Sequence, residues 1–153
     1  MSSVAIMQET PQQSDVERLL READQRSVAL YPKESRCGST IETLMAQNVR
    51  FFVVRLGGRA IGCGGFIADK QRNGELKRIF VEEAVRGNGI GRLILTILEQ
   101  DAREQNISIM RLETGVKSVE AIGLYRRFGY NECGPFGGYP PDPLSVFMEK
   151  GSF

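Results

Sequence analysis

Histidine is absent from the 153-residue sequence. A Ser-His or Cys-His catalytic pair is therefore excluded, because no imidazole is present to act as the base. Any proton transfer has to use a carboxylate, a tyrosine, a lysine, a cysteine, a chain terminus or water. A zinc site would also lack one of its usual ligands, and we expect no metal.

Cysteine is scarce as well. The three cysteines, Cys37, Cys63 and Cys133, are odd in number, widely spaced and never arranged as Cys-x-x-Cys. This pattern argues against a disulfide framework. We expect Cys63 and Cys133 to be small core residues and Cys37 to lie in a loop.

Long apolar runs and excess charge are also missing. No apolar run approaches the roughly 20 residues of a membrane-spanning helix, and the first residues lack the basic and apolar regions of a secretory signal. The formal net charge is only +1, so bulk electrostatics favour neither nucleic acid nor an anionic membrane as a partner. We expect a cytoplasmic protein in which residues 1–153 form a single domain.

The sequence is organised around residues 75–105. Glu75–Val81 alternates apolar and charged residues and predicts a strand, Arg86–Gly91 (RGNGIG) predicts a glycine-rich loop, and Leu93–Gln105 has the apolar spacing of a helix. A glycine turn that opens a helix leaves free backbone N–H groups at the positive end of the helix dipole. This arrangement predicts a phosphate site.

Two common phosphate motifs fail on their spacing. The dinucleotide fingerprint needs a third glycine at position 92, which is Arg92, and the P-loop needs Gly-Lys followed by Ser or Thr, which occurs nowhere in the chain. What remains is Arg86-x-x-Gly89-x-Gly91. On these residues alone, a glycine-rich turn without a ligand is the alternative.

The rest of the chain predicts alternating strands and helices. Gly57-Gly58 predicts a two-residue hairpin turn, and the glycines of the following strand predict a bulge or a close backbone approach. Ser14 and Ser39 are predicted as helix N-caps because each begins a capping-box pattern. The other predicted elements are a strand Val4–Gln8, a helix from Ser14 to about Val28, a short helix after Ser39, strands Val49–Leu56, Arg59–Ala68 and Ile107–Thr114, a helix Ser118–Phe128, and strands Tyr130–Cys133 and Leu144–Glu149.

The loop at Arg86–Gly91 resembles the pyrophosphate loop of the GNAT family, the GCN5-related N-acetyltransferases. A second segment, SVEAIGLYRRFGY, resembles the family's tyrosine helix at Ala121, Leu124, Tyr125 and Gly129, with Ser118 where the family usually has Asn. The predicted order β-α-α-β-β-β-α-β-α-β-β is that of the GNAT or acyl-CoA N-acyltransferase fold, a mixed α/β sheet. The resemblance therefore covers almost the whole chain.

The resemblance implies acetyl-CoA as cosubstrate and assigns residues to it. Tyr125 would protonate the departing thiolate, and a backbone N–H near Val81 would bind the thioester oxygen. Ser118 would contact the pantetheine arm. The implied cofactor-binding residues are Phe80, Val81, Arg86, Gly87, Asn88, Gly89, Ile90, Gly91 and Ser118.

The acceptor amine needs a base, because an alkylammonium with a pKa near ~10.4 is not a nucleophile at neutral pH. Glu75, at the start of the central strand, is our first candidate, and Glu113 is the second. Tyr31, Phe136, Tyr139 and Glu113 are candidates for the acceptor pocket. The alternative for the aromatic residues is that they cover the end of the sheet.

The leading functional hypothesis is an N-acetyltransferase that acts on a primary amine of a small molecule. The amine would attack acetyl-CoA directly, with no covalent enzyme intermediate. One alternative is an acyl-CoA-binding regulatory module without turnover, and another is a protein N-acetyltransferase. The resemblance also admits a homodimer, because the family is often dimeric.

Overall fold

The strands form one mixed sheet at the centre of the molecule. The computed structural model describes residues 3–36, 38–151 and 153, so the loop prediction for Cys37 lies outside the described residues. Within them, seven strands follow the order β1-β2-β3-β4-β5-β7-β6. Their bounds are β1 Val4–Gln8, β2 Arg50–Leu56, β3 Arg59–Ala68, β4 Asn73–Val81, β5 Ile109–Gly115, β6 Asn131–Cys133 and β7 Ser145–Gly151.

The helices cover the two faces of this sheet. They are α1 Ser14–Leu30, α2 Ile41–Ala46, α3 Ile90–Glu104 and α4 Val119–Arg127. Strand β2 shows why both faces are covered, because Phe51 and Val53 pack with α1 and α2 whereas Phe52 and Val54 pack with α3. Alternate residues of a strand point to opposite faces, so a strand that is apolar on both is buried between two layers.

The hairpin and the bulge are confirmed. Gly57 and Gly58 connect β2 to β3 with φ values of 57° and 85°, as a two-residue turn of this kind requires. The register of β3 against β2 shifts between Val54 and Arg55, where Ile61 is the extra residue of β3, and the register of β3 against β4 shifts between Cys63 and Gly65. A side chain at Gly65 would lie 2.6 Å from the Arg50 carbonyl, so the backbones approach each other more closely there than a Cβ allows.

Both predicted N-caps are wrong by one residue. Gln13 precedes α1 and its carbonyl accepts the first helical bond from Glu17, so Ser14 lies inside the helix. Thr40 precedes α2 and its hydroxyl accepts a hydrogen bond from the Thr43 N–H at 3.1 Å. Thr40 offers the same hydroxyl chemistry as Ser39, one residue closer to the helix.

The predicted βαβ unit is confirmed, and it contains the most important irregularity of the sheet. Strands β4 and β5 are parallel, with register pairs Asn73–Ile109, Gly74–Met110 and Glu75–Arg111. Beyond Glu75 and Arg111 the two strands continue to Val81 and Gly115 without further register pairs among the described residues. The sheet therefore opens between β4 and β5.

Helix α3 carries two buried carboxylates that are both paired. Asp101 accepts two hydrogen bonds from the Arg50 guanidinium, one of them at 3.0 Å, and Glu99 pairs with Lys150 at 2.8 Å. These pairs tie α3 to β2 and to β7. In the part of the chain that the structure describes, no helix has the length and apolar character needed to cross a membrane.

Candidate active site

A cavity of about 620 Å³ occupies the opening between β4 and β5. Residues from α1, β4, the glycine loop, β5 and α4 line it. Among them are most of the residues predicted for the site, namely Tyr31, Phe80, Val81, Arg86, Gly87, Gly89, Ile90, Gly91, Glu113, Ser118, Tyr125 and Tyr139. Glu75, Asn88 and Phe136 do not belong to this lining.

One end of the cavity is the start of helix α3. Gly87 and Gly89 have φ values of 82° and 79°, a conformation that side chains disfavour. Gly89 is the N-cap, and the first bond back to it comes from the Leu93 N–H. The N–H groups of residues 90–92 precede that bond, so they have no helical partner and are available to an anion.

The side chains of this loop hold its backbone in place. Asn88 donates from Nδ2 to the Val85 carbonyl at 2.9 Å, so its contribution is to the shape of the loop. Arg86 donates from Nε to the Val81 carbonyl at 2.9 Å, and its guanidinium stacks 5.4 Å from the centre of the Phe80 ring. Burial lowers the pKa of Arg86, and the charge of nearby Arg26 lowers it further.

Gly91 allows α3 and α4 to approach each other. A Cβ at this position would lie 3.1 Å from the Leu124 side chain. The tyrosine helix therefore packs directly against the first turn of α3. This contact brings Tyr125 and the glycine loop to the same cavity.

Tyr125 is a buried tyrosine that reaches the cavity wall. Its side chain belongs to the core on the α3 side of the sheet, and its ring packs edge-on against Tyr130 with centroids 5.9 Å apart. Burial raises the pKa of Tyr125 to about 12. The phenol is therefore protonated at neutral pH, as a proton donor has to be.

Tyr31 closes the cavity from the C-terminal end of α1. Its hydroxyl accepts a hydrogen bond from the Lys117 N–H at 2.9 Å and lies 3.5 Å from the Ser118 hydroxyl. Lys117 returns a bond from Nζ to the Leu30 carbonyl at 2.9 Å. We call these contacts the Tyr31 latch, and it joins α1 to the β5–α4 turn.

Glu113 is the carboxylate that lies in the cavity wall near the end of β5. The Ser145 hydroxyl donates to its Oε2 at 2.8 Å. Burial raises the pKa of the Glu113 carboxyl above its ordinary value, while the Ser145 bond and the charge of Lys77 act in the opposite direction. A carboxylate with a raised pKa in a cavity has the properties of a general base.

Glu75 belongs to a closed network of hydrogen bonds among three side chains. Tyr139 donates its hydroxyl proton to Glu75 Oε2 at 2.5 Å, and Lys77 Nζ lies 2.9 Å from the same oxygen and 3.0 Å from the Tyr139 hydroxyl. Lys77 and Tyr139 line the cavity, whereas Glu75 does not. We call Glu75, Lys77 and Tyr139 the Lys77 ring.

The aromatic loop between β6 and β7 supports this ring. Phe136, Tyr139 and Phe147 meet edge-on with centroid distances of 5.4–5.7 Å, and Arg111 stacks over Phe136 at 5.7 Å. Phe136 therefore packs against the ring of Tyr139 and helps to fix its position. Of the predicted aromatic acceptor residues, Tyr31 and Tyr139 are in the cavity wall.

Several lining residues were not singled out from the sequence. Helix α1 contributes Ala23, Arg26, Ser27 and Leu30, which have helical spacing and extend the buried stripe of Val16, Leu19 and Leu20. This stripe changes from apolar to polar at Arg26 and Ser27, a pattern from which the cavity could have been predicted. Lys77 could have been found from its alternation with Glu75 on one face of β4.

Comparison with known proteins gives consistent matches. A model of the Acetyltransferase (GNAT) family matches residues 14–130. A curated protein of Azospirillum brasilense named IAA acetyltransferase is 44% identical over 151 residues, which cover 98% of this chain and 99% of that protein.

Solved structures share the whole fold. The crystal structure of a Klebsiella pneumoniae protein assigned as an acyl-CoA N-acyltransferase has a TM-score of 0.84 and 34% identity, and the match covers 98% of both chains. The PaiA N-acetyltransferase of Thermoplasma acidophilum, solved in complex with coenzyme A, has a TM-score of 0.74 at 16% identity and covers 98% of this chain and 99% of its own.

Proposed function

The chain belongs to the Acetyltransferase (GNAT) family, and on that premise we propose that it transfers an acetyl group from acetyl-CoA to a primary amine of a small molecule. The observation that carries the proposal is that one cavity, between β4 and β5, collects the groups that acyl transfer uses. It brings together free N–H groups at a helix start, a protonated tyrosine and a half-buried carboxylate. Acyl transfer to an amine needs these three groups.

The cofactor would lie along the opening in the sheet. The pyrophosphate would bind the N–H groups of residues 90–92, with Arg86 beside them. The pantetheine arm would run between β4 and β5, where the strands have parted, and pass Ser118. The complex of the Thermoplasma acidophilum relative with coenzyme A supports a CoA site in this fold.

The chemistry would begin with the loss of a proton from the acceptor ammonium. Glu113 would take this proton, directly or through a water molecule, because it is the carboxylate of the two candidates that lines the cavity. Glu75 would act one step behind, by holding Lys77 and Tyr139 in place. The free amine nitrogen would then form its bond to the thioester carbon.

The second half of the reaction would break the carbon–sulfur bond. Tyr125 would donate its proton to the departing thiolate, whose basicity rises as the bond breaks. A backbone N–H near Val81 would stabilise the negative charge on the thioester oxygen. The products would be the amide and coenzyme A with a free thiol, and no enzyme group becomes covalently attached.

Release of coenzyme A thiol in the presence of candidate acceptors tests this function. The panel would contain small primary amines, amino acids, IAA as the compound in the relative's name, and a short lysine peptide. We expect small amines to raise thiol release at least about tenfold over the rate without acceptor. Tight acetyl-CoA binding with no acceptor effect would favour the regulatory module, and a response to the peptide alone would favour protein acetylation.

A further inference from the structure

We propose that the acceptor is an amino acid, a molecule that carries a carboxylate beside the amine to be acetylated. Lys77 would bind the carboxylate and Glu113 would face the amine. This inference rests on the proposed function and defines the substrate class of the same site.

The register of the sheet places these two residues on the same face, one at each margin of the opening. Glu75 and Arg111 form the last pair between β4 and β5. Lys77 and Glu113 each stand two residues further along, so both side chains point to the same face of the sheet as that pair. Both line the cavity, one on each side of the opening.

Lys77 retains hydrogen-bonding capacity that the protein does not use. An ammonium has three N–H donors, and those of Lys77 meet Glu75 and Tyr139 at 2.9 and 3.0 Å. The third donor has no partner among the described residues. The Lys77 side chain is only 14% exposed, and a donor with so little access to bulk water favours an acceptor oxygen on the ligand.

Glu113 offers the complementary group. Its Oε2 accepts the Ser145 hydroxyl at 2.8 Å, and within the described chain its Oε1 has no hydrogen-bond partner. The ammonium of an amino acid would donate to Oε1 while its carboxylate accepts from Lys77. A plain amine would satisfy Glu113 and would leave the Lys77 donor covered and unpaired, which costs binding free energy.

The Lys77 ring explains why the cation is fixed in this position. Glu75 attracts the ammonium from one side, and Tyr139 is held by Phe136 and Phe147. The ammonium of Lys77 is therefore paired with Glu75 and not with Glu113. A fixed cation and a separate carboxylate match the two charges of an amino acid.

The test compares amino acids with the amines that remain when their carboxylate is removed. Suitable pairs are phenylalanine with phenethylamine and methionine with 3-(methylthio)propylamine, assayed by thiol release at saturating acetyl-CoA. We expect kcat/KM to favour the amino acid by about tenfold or more, because a site that hydrogen-bonds a substrate group discriminates against its absence.

Two variants of Lys77 and one control variant test whether the preference depends on Lys77. Lys77→Met should lower kcat/KM for the amino acid far more than for the amine, so that their ratio falls to about one. Lys77→Arg, which keeps the charge, should retain part of the preference. Lys70→Met removes an exposed lysine outside the cavity and should leave the ratio unchanged.

The outcomes separate the inference from the proposed function. If the unmodified protein acetylates the amines as fast as the amino acids, or faster, the proposal of an amino acid acceptor is wrong, but the proposed acetyltransferase function remains. A preference that survives in Lys77→Met would overturn the role of Lys77. If no acceptor raises thiol release but calorimetry shows amino acid binding that Lys77→Met removes, the proposed function fails and the binding site stands. If the unmodified protein shows neither turnover nor amino acid binding, both the proposed function and the amino acid site are wrong.

Discussion

At the scale of single residues, Glu113 is the group on which the proposed chemistry depends most. We expect Glu113→Gln to lower kcat/KM by about 100-fold, because the amide cannot accept the proton of the ammonium. In the unmodified protein, kcat/KM should rise with pH through the raised pKa of Glu113. Glu104→Gln, an exposed change on α3, is the control, and an equal loss there would contradict the assignment.

The same substitution should stabilise the protein at high pH. Because burial raises the pKa of Glu113 in the folded state, the folded protein binds the proton more tightly than the unfolded chain, and stability falls as pH rises through the folded pKa. Glu113→Gln should therefore raise the melting temperature at pH 8 and change it little at pH 4, as scanning calorimetry would show. A gain confined to pH 4 would refute the sign of this shift.

Tyr125 is the second residue with a defined chemical role. We expect Tyr125→Phe to lower kcat by roughly tenfold or more and to leave the dissociation constant of acetyl-CoA nearly unchanged. The ring is retained, so its packing against Tyr130 at 5.9 Å is preserved. Rapid-mixing kinetics and calorimetry measure the two quantities, and an unaltered kcat would assign the acid to another group.

At the scale of structural elements, the glycine loop is the first feature to test. We expect Gly89→Val to abolish acetyl-CoA binding, because a side chain there obstructs the phosphate and a φ of 79° disfavours a β-branched residue. The substitution places Val at the N-cap of α3. Gly134→Val, at an open loop glycine with ordinary φ, should bind normally, and unchanged affinity in Gly89→Val would disprove the loop assignment.

The Tyr31 latch can be tested through the glycine beneath it. A Cβ at Gly115 would lie 2.1 Å from the Tyr31 hydroxyl, so Gly115→Ala has to displace the ring and break its bond to the Lys117 N–H. We expect KM for the acceptor to rise about fivefold with a smaller change in kcat, because the latch closes the cavity. Gly138→Ala, where a Cβ meets nothing within 4 Å, is the matched control.

The sequence predicted these elements well where the local signal had one physical cause. The order of strand, crossover helix and strand predicted the parallel pair of β4 and β5, and the glycines predicted the hairpin turn and the bulge. The helix caps were missed by one residue because Gln13 has no side-chain capping bond and Thr40 competes with Ser39. Such choices depend on contacts of a few ångströms, not on pattern.

The site was harder to predict than the fold. Most of the residues proposed for the cofactor are consecutive in one loop, and all of them except Asn88 line the cavity. Glu75 was our first candidate for the base because it begins the central strand and because the family resemblance places a carboxylate on that strand. In the structure the Glu75 carboxylate accepts a hydrogen bond from Tyr139, which lies 64 residues away in the chain. A contact of that sequence separation leaves no trace in a local pattern.

At the scale of the whole molecule, cofactor binding should stabilise the fold. Acetyl-CoA at 100 times its dissociation constant should add about 2.7 kcal/mol to the free energy of unfolding. For a chain of this size that corresponds to a rise in melting temperature of roughly 5–10 °C. Thermal melts with and without acetyl-CoA measure it, and Gly89→Val should show no rise.

The opening between β4 and β5 has a consequence for the aggregation of the protein. An unpaired strand edge is a template for other extended chains, and proteins usually protect such edges. Here the unpaired edges of β4 and β5 lie inside the sheet, so a bound ligand would cover them. The empty protein should be the form that aggregates on mild heating, and coenzyme A should suppress the light scattering.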